Sequence, residues 1–170
     1  EKTVAIAKSR GLRLIRPYDE PDVIAGQGTV GIEIVNHLRK MNLVPDVIFI
    51  PCGGGGLTAG IAIVVKQAFP HTEIHPVEPI DFDDTARSLV AGKRVSNKNH
   101  DAISICDALL AEKPGEITFP INKDLCSFGL TVTDREIMST MLQAYNHLKL
   151  VTEPGGAVGL SAVLNGKIKL

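Results

Sequence analysis

The sequence carries no surplus of charge of either sign: 18 lysines and arginines stand against 19 aspartates and glutamates, for a net charge of −1. Such a balance offers no basic surface to neutralise a row of phosphates, which argues against nucleic acid and anionic membranes as partners. Long apolar runs are missing as well. No stretch reaches the roughly eighteen residues of a membrane span, and the opening EKTVAIAKSR lacks the basic, apolar and small-residue order of a secretory leader. Cysteine is scarce. Cys52, Cys106 and Cys126 are odd in number and lack metal-ligand spacing, so buried free thiols are expected. These absences leave a soluble, cytoplasmic protein as the expectation, and 170 residues, 44% of them hydrophobic, suffice for one domain with its own core.

What is present alternates between two kinds of segment. Residues 2–10 predict a short helix stopped by Gly11, and LRLI at 12–15 predicts a strand. The YDEP stretch places an acidic cap before Pro21, and Ile24, Gly31, Val35 and Leu38 continue a helical stripe to about residue 41. Gly26, Gly28 and Gly31 weaken that helix, so a bent or two-part element with close packing is expected. DVIFIP (46–51) predicts a strand buried on both faces, LTAGIAIVVKQAF (57–69) a helix and EIHPVE (73–78) the next strand. That order requires a crossover in a parallel sheet. Further on, DFDDTARSLVAG predicts a helix ending at Gly92, RVSNKNHD a surface loop and SFGLTVT a strand. Thr133 and Glu136 form a capping-box pattern before a helix with the stripe Ile137, Met141, Tyr145 and Leu148, and a last helix starts near Glu153 and Pro154. The fold class implied is α/β, a single domain over 1–170 with an open, mostly parallel sheet and helices on both faces.

FIPCGGGGLTAG (49–60) sets four consecutive glycines between a strand and a helix. Ligands of open α/β sheets bind where strands end and helices begin, and a helix N-terminus offers unpaired amides with about half a positive charge. Bare backbone there lets several amides converge on one phosphate, each charged hydrogen bond contributing about 1.5 to 3 kcal/mol. An ATP loop would need a lysine and a hydroxyl at its end, yet Leu57 and Thr58 follow the run with no lysine before Lys66. The dinucleotide fingerprint fails at Thr58, although Glu78 stands where a ribose-binding acid belongs, so a nucleotide-binding oxidoreductase remains an alternative. Ser161 has no His and Asp companions and is expected in the core. His71 and His75 share helical zinc spacing but are bracketed by Pro70 and Pro76, and His37, His100 and His147 read as isolated surface residues.

Taken in order, RPYDEPDVIAGQGTVGIEIV, PCGGGGLTAGIAI, VEPIDFDDTARSL and LVTEPGGAVGLSAVL resemble the serine/threonine dehydratase and serine racemase group of pyridoxal phosphate (PLP) enzymes, of the tryptophan-synthase-β fold type. The resemblance implies a lyase that removes the hydroxyl of a small hydroxy amino acid, L-serine or L-threonine, by β-elimination, releasing a 2-oxoacid and ammonia. Serine racemase shares every one of these motifs and stays open beside it. By resemblance, Gly53, Gly54, Gly55, Gly56 and Leu57 seat the cofactor phosphate. Glu153 matches a glutamate near the cofactor ring, although a first-turn acid of the following helix would look the same. Glu78, the Phe82 carbonyl and Asp84 match a divalent cation site suited to Mg2+, Ca2+ or Mn2+, with a solvated helix start as the plainer reading of DFDD. The family implies a homo-oligomer, a dimer first. In the family a lysine that carries the cofactor lies in a serine, any residue, lysine, any residue, arginine, glycine pattern upstream of the glycine loop. Lys8 in AKSRG copies only its end and is expected to be a decoy. NGKIKL also precedes the strand whose serine or cysteine bonds the pyridine nitrogen. The likeness is therefore to a C-terminal half without the catalytic lysine, and the chain alone is expected to show no dehydratase turnover.

Overall fold

The computed structural model describes residues 2–99 and 101–169, so His100 lies outside the described residues. Strands β1 (Val47–Pro51), β2 (Glu73–Pro79) and β3 (Leu130–Val132) pair in parallel in the order β1-β2-β3. Parallel neighbours cannot be joined by a hairpin, so the chain returns through helices. Helix α3 (Gly56–Ala68) connects β1 to β2, and α4 (Asp84–Ala91) and α5 (Thr118–Leu125) lie between β2 and β3. Ahead of the sheet stand α1 (Lys2–Arg10) and α2 (Pro21–Lys40), and α6 (Asp134–Gln143) and α7 (Pro154–Leu164) follow it. Two apolar cores cover the two faces. Val35, Ile50, Ile61, Val65 and Ile74 fill one with α2 and α3, and Val77, Val132, Ile137 and Val158 fill the other with α6 and α7. The α/β class with helices on both faces is therefore what the chain forms, and among the described residues no helix is long and apolar enough to cross a membrane.

Gly28 and Gly31 of α2 bring close approach without breaking the helix in two. The helix runs unbroken for 20 residues, with Pro21 in its first turn. A Cβ on Gly60 of α3 would come within 2.5 Å of the Ile24 carbonyl oxygen and 2.6 Å of the Gly28 amide, and one on Gly31 within 2.9 Å of Val64 Cβ. Small residues here let two backbones touch, so their cost in helix propensity, about 1 kcal/mol each, is recovered as packing.

Other expectations change. Residues 12–15 form no strand: they pair with none of the three strands, and Leu12, Leu14 and Ile15 are exposed. Strand β1 has both faces packed, Ile48 and Ile50 against one core and Phe49 against the other, but as the edge strand it is only half-buried, with Ile50 alone fully covered. The α6 stripe holds at Ile137 and Met141 and then fails, because a π turn at Ala144–Leu148 shifts the phase, burying Ala144 and leaving Tyr145 and Leu148 exposed. The expected capping box is present, with Glu136 N donating to Thr133 Oγ1 at 3.3 Å and Thr133 N to Glu136 Oε2 at 2.7 Å. Helix α5 lacked a sequence signal because Pro120 reads as a breaker. It lies in the first turn, where its missing amide costs nothing.

Pro76 is unusual in the central strand. The register Val77↔Leu130 would have the amide of residue 76 donate to the Phe128 carbonyl, and proline has no such amide. The ring of His75 takes its place: Nδ1 donates to Phe128 O at 2.8 Å, and the imidazole packs between Phe49 and Phe128. His75 is thus a buried ladder substitute and not a zinc ligand, while His71, His37 and His147 are exposed, as expected of surface residues. Cys52 and Cys106 are buried and Cys126 half-buried, all three as free thiols.

Candidate functional site

Strand β1 ends at Pro51 and α3 begins at Gly56, leaving Cys52 and the first glycines to turn the chain. Gly55 takes φ +91°, a left-handed conformation that only glycine adopts without strain. The other glycines are required by neighbours. A Cβ on Gly54 would enter the ring of Tyr18, one on Gly56 would come within 2.8 Å of the Tyr18 carbonyl oxygen, and one on Gly53 within 3.2 Å of Leu109 Cα. The carbonyls of this turn are tied down. Gly54 O accepts from Thr118 Oγ1 at 2.7 Å and from Gly115 N at 3.2 Å, and Gly55 O from Asn122 Nδ2 at 3.2 Å and Ala59 N at 2.9 Å. The amides of residues 53–58, by contrast, have no protein acceptor among the described residues. Thr58 Oγ1, also buried, has no partner either.

These groups line a cavity of about 330 Å³ whose wall also includes Tyr18, Leu109, Glu153 and Gly155. Gly53 through Gly56, Leu57 and Glu153 therefore share one cavity. Glu153 takes the N-cap position of α7, yet its side chain makes no capping bond. Thr58 belongs with the set and was missed in the sequence, although a hydroxyl one turn into a glycine-led helix was a usable signal. Lys8 is exposed on α1 and contributes nothing to the lining, which contains no lysine. Ser161 is buried in α7 and its Oγ accepts from Asn165, a packing role as expected. Cys52 is equally inert: burial, then the charge of Glu78, pushes its thiol far up, so it holds no thiolate.

Glu78 and Asp84 form a second, internal pair next to the turn, and Phe82, also buried, lies in the segment between them. Glu78 is fully buried, its Oε1 accepting from Thr85 N at 2.9 Å and its Oε2 from Ala86 N at 2.8 Å. Buried beneath the head of α4, Glu78 is out of reach of a ribose and the oxidoreductase alternative loses its acid, although each oxygen keeps a second lone pair. Asp84 is 1% exposed and neither carboxylate oxygen has a hydrogen-bond partner. Burial pushes the Asp84 carboxyl up to about 7, and burial together with Asp84 pushes Glu78 well above the usual carboxylate range. An unpartnered buried carboxylate beside a second one fits a bound cation, which would supply the missing counter-charge.

A larger cavity, about 470 Å³, lies between residues 16–19 and 112–116. Arg94 bonds Glu116 there at 3.1 Å and Asp19 accepts from backbone amides, while Arg16, Glu112 and Lys113 line it without an ion pair among the described residues.

The family model described as "pyridoxal-phosphate dependent enzyme" matches residues 1–170. The chain is 35% identical over 167 residues to a serine racemase of Dictyostelium discoideum, covering 98% of this chain and 50% of that protein. It is 37% identical over 167 residues to an L-threonine ammonia-lyase of Geobacter sulfurreducens, covering 97% of this chain and 40% of that one. Among solved structures, a threonine deaminase of T.th. superimposes with a TM-score of 0.93 at 36% identity, over 99% of this chain and 58% of that one. The chain spans about half the length of the curated relatives it matches.

Proposed function

Because the chain belongs to the pyridoxal-phosphate dependent enzymes, we propose that it forms the phosphate-seating part of a lyase that converts L-threonine or L-serine to the 2-oxoacid and ammonia by β-elimination. The observation that carries this is the row of amides from Gly53 to Thr58, bare of side chains along the glycines, without protein acceptors and lining one cavity. Unpaired donors at the start of a helix suit a phosphate dianion, and the Thr58 hydroxyl adds one more donor. When bound, PLP supplies an electron sink for the carbanion at Cα. The chain's own residues bind and orient: the loop amides hold the phosphate, Tyr18 walls the cavity over Gly54, and Glu153 faces it from the head of α7. The lining lacks an amine, so covalent attachment of the cofactor and proton removal at Cα require a lysine other than Lys8.

Glu78, the Phe82 carbonyl and Asp84 would hold Mg2+, or Ca2+ or Mn2+, as oxygen ligands, and a cation there would supply the counter-charge for two buried carboxylates next to Cys52. The whole enzyme is a cytoplasmic homodimer; three free thiols fit a reducing compartment, and exposed Leu142, Tyr145 and Leu148 fit association with a second copy. Likeness to serine racemases favours a second reading with the same cavity.

The binding test uses 4-deoxypyridoxine 5'-phosphate, which has no aldehyde to react with surface lysines. Saturable binding that inorganic phosphate competes away, with none for 4-deoxypyridoxine, is the expected result. Equal binding of the two compounds would remove the phosphate seat. For the reaction, ammonia and 2-oxobutyrate from L-threonine, measured beside D-serine from L-serine, separate lyase from racemase.

A further inference from the structure

We infer that Asp19, Thr118 and Asn122 are positioning residues that aim the phosphate-binding amides from outside the cavity, an inference that rests on the phosphate seat proposed above. In a trans peptide unit the carbonyl of one residue and the amide of the next point in opposite directions. Whatever holds the Gly54 carbonyl therefore aims the Gly55 amide, and whatever holds the Gly55 carbonyl aims the Gly56 amide. Both anchors stand on one helix. Thr118 Oγ1 reaches Gly54 O and Asn122 Nδ2 reaches Gly55 O, from positions four apart and hence on one face of α5, both fully buried.

Helix α5 has only eight residues and would be a poor support unaided, because its first amides lack intrahelical partners. Asp19 supplies those partners. Its Oδ2 accepts from Glu116 N at 2.9 Å, and its Oδ1 accepts from Ile117 N at 2.7 Å and Thr118 N at 3.3 Å. Burial opposes ionisation of Asp19, yet the three amides and nearby Arg16 outweigh it and hold the carboxyl below its ordinary range. Gly115 makes room for this contact, since a Cβ there would strike the Asp19 carboxylate, and its amide adds the further bond to Gly54 O. One continuous set of hydrogen bonds thus runs from Asp19 through α5 to the two carbonyls without touching a ligand. Its effect is preorganisation: the amides face the cavity before any anion arrives, so binding does not have to order them.

The test titrates 4-deoxypyridoxine 5'-phosphate into the full chain by calorimetry and follows the Gly55 and Gly56 amide protons by NMR. Thr118→Val keeps the shape and removes the donor, Thr118→Ser keeps the donor, and Asn122→Leu removes the other anchor. Thr118→Val and Asn122→Leu should each weaken binding about tenfold, and Thr118→Ser should stay within about twofold of wild type. In the wild type both glycine amides should move downfield on binding. Wild-type affinity in both donor-less variants, or unmoved Gly55 and Gly56 amides in a protein that binds the probe, would overturn the inference while leaving the phosphate seat in place. Failure of the wild type to bind would remove both. Should Thr118→Val not fold, Asn122→Leu decides by the same criterion, with melting temperatures recorded without ligand.

Discussion

Replacing Gly55 with alanine separates the backbone reason for this glycine from the contact reason, because the structure provides its own control. Gly55 and Gly92 both have positive φ, +91° and +67°, but only Gly55 is crowded. A Cβ at 55 would lie 2.6 Å from Asn122 Nδ2 and 3.0 Å from Thr118 Oγ1, whereas at 92 it would meet nothing nearer than Lys123 Nζ at 3.8 Å. The left-handed conformation costs a non-glycine residue about 1 to 2 kcal/mol, offset by about 0.4 to 1 kcal/mol from the stiffer unfolded chain, and both terms apply at each site. Gly92→Ala should therefore lose roughly 1 kcal/mol. Gly55→Ala adds the collision and the displaced Asn122 bond, whose buried donor is left without a partner, for about 2 to 3 kcal/mol more. Urea unfolding of the two variants beside wild type measures the difference, and common errors of extrapolation cancel. If the two variants were destabilised to within about 0.5 kcal/mol of each other, the contacts assigned to Gly55 would carry no weight.

Three further outcomes follow from the packing and charges. Asp84, raised from its ordinary 3.8 to about 7, keeps a proton in the folded state that the unfolded chain has already lost, so stability in EDTA should fall as pH rises from about 4 to 7. Asp84→Asn should flatten that slope, and Mg2+ at about pH 8, above the raised value, should increase the melting temperature of wild type but not of the variant; identical pH profiles would count against the buried pair. Gly60→Ala should destabilise by about 1 to 3 kcal/mol in thermal or urea unfolding, although alanine is the better helix former, because Ile24 O and Gly28 N block the new methyl. Thr133→Ala, which breaks the reciprocal cap at the head of α6, should cost about 1 kcal/mol, and Thr133→Ser should restore most of it.

The cradle was legible because its ingredients are contiguous: an apolar strand, four glycines and a helix leave little freedom about where an anion would sit. Glu78 and Asp84 were joined as one site only through family likeness, since acids at a helix start such as DFDD are common on any surface; their burial is a tertiary fact. Asp19 was read with Glu20 as an acidic cap of α2, but α2 has no side-chain cap and Asp19 serves the head of α5 instead; Thr118 and Asn122 gave no signal, because they reach the glycines only after α5 docks. Local pattern also misled where a neighbour decides the outcome. The apolar residues at 12–15 stay outside the sheet, Tyr145 and Leu148 lost their phase to a π turn, and Pro120 hid a helix whose first turn it fits. The close packing expected of the α2 glycines is made by Gly28 and Gly31 against α3, while the two-part helix expected with it is one continuous element.

The tie between α5 and the glycine turn also sets an order of events during folding. Its hydrogen bonds span 64 and 67 residues, and those from Asp19 span 97 to 99, so each closes a long loop that local helix formation cannot speed. Strand β1 and helix α3 can assemble early, but the turn between them acquires its final shape only when distant chain arrives. Affinity for phosphate should thus emerge in the slowest kinetic phase of refolding.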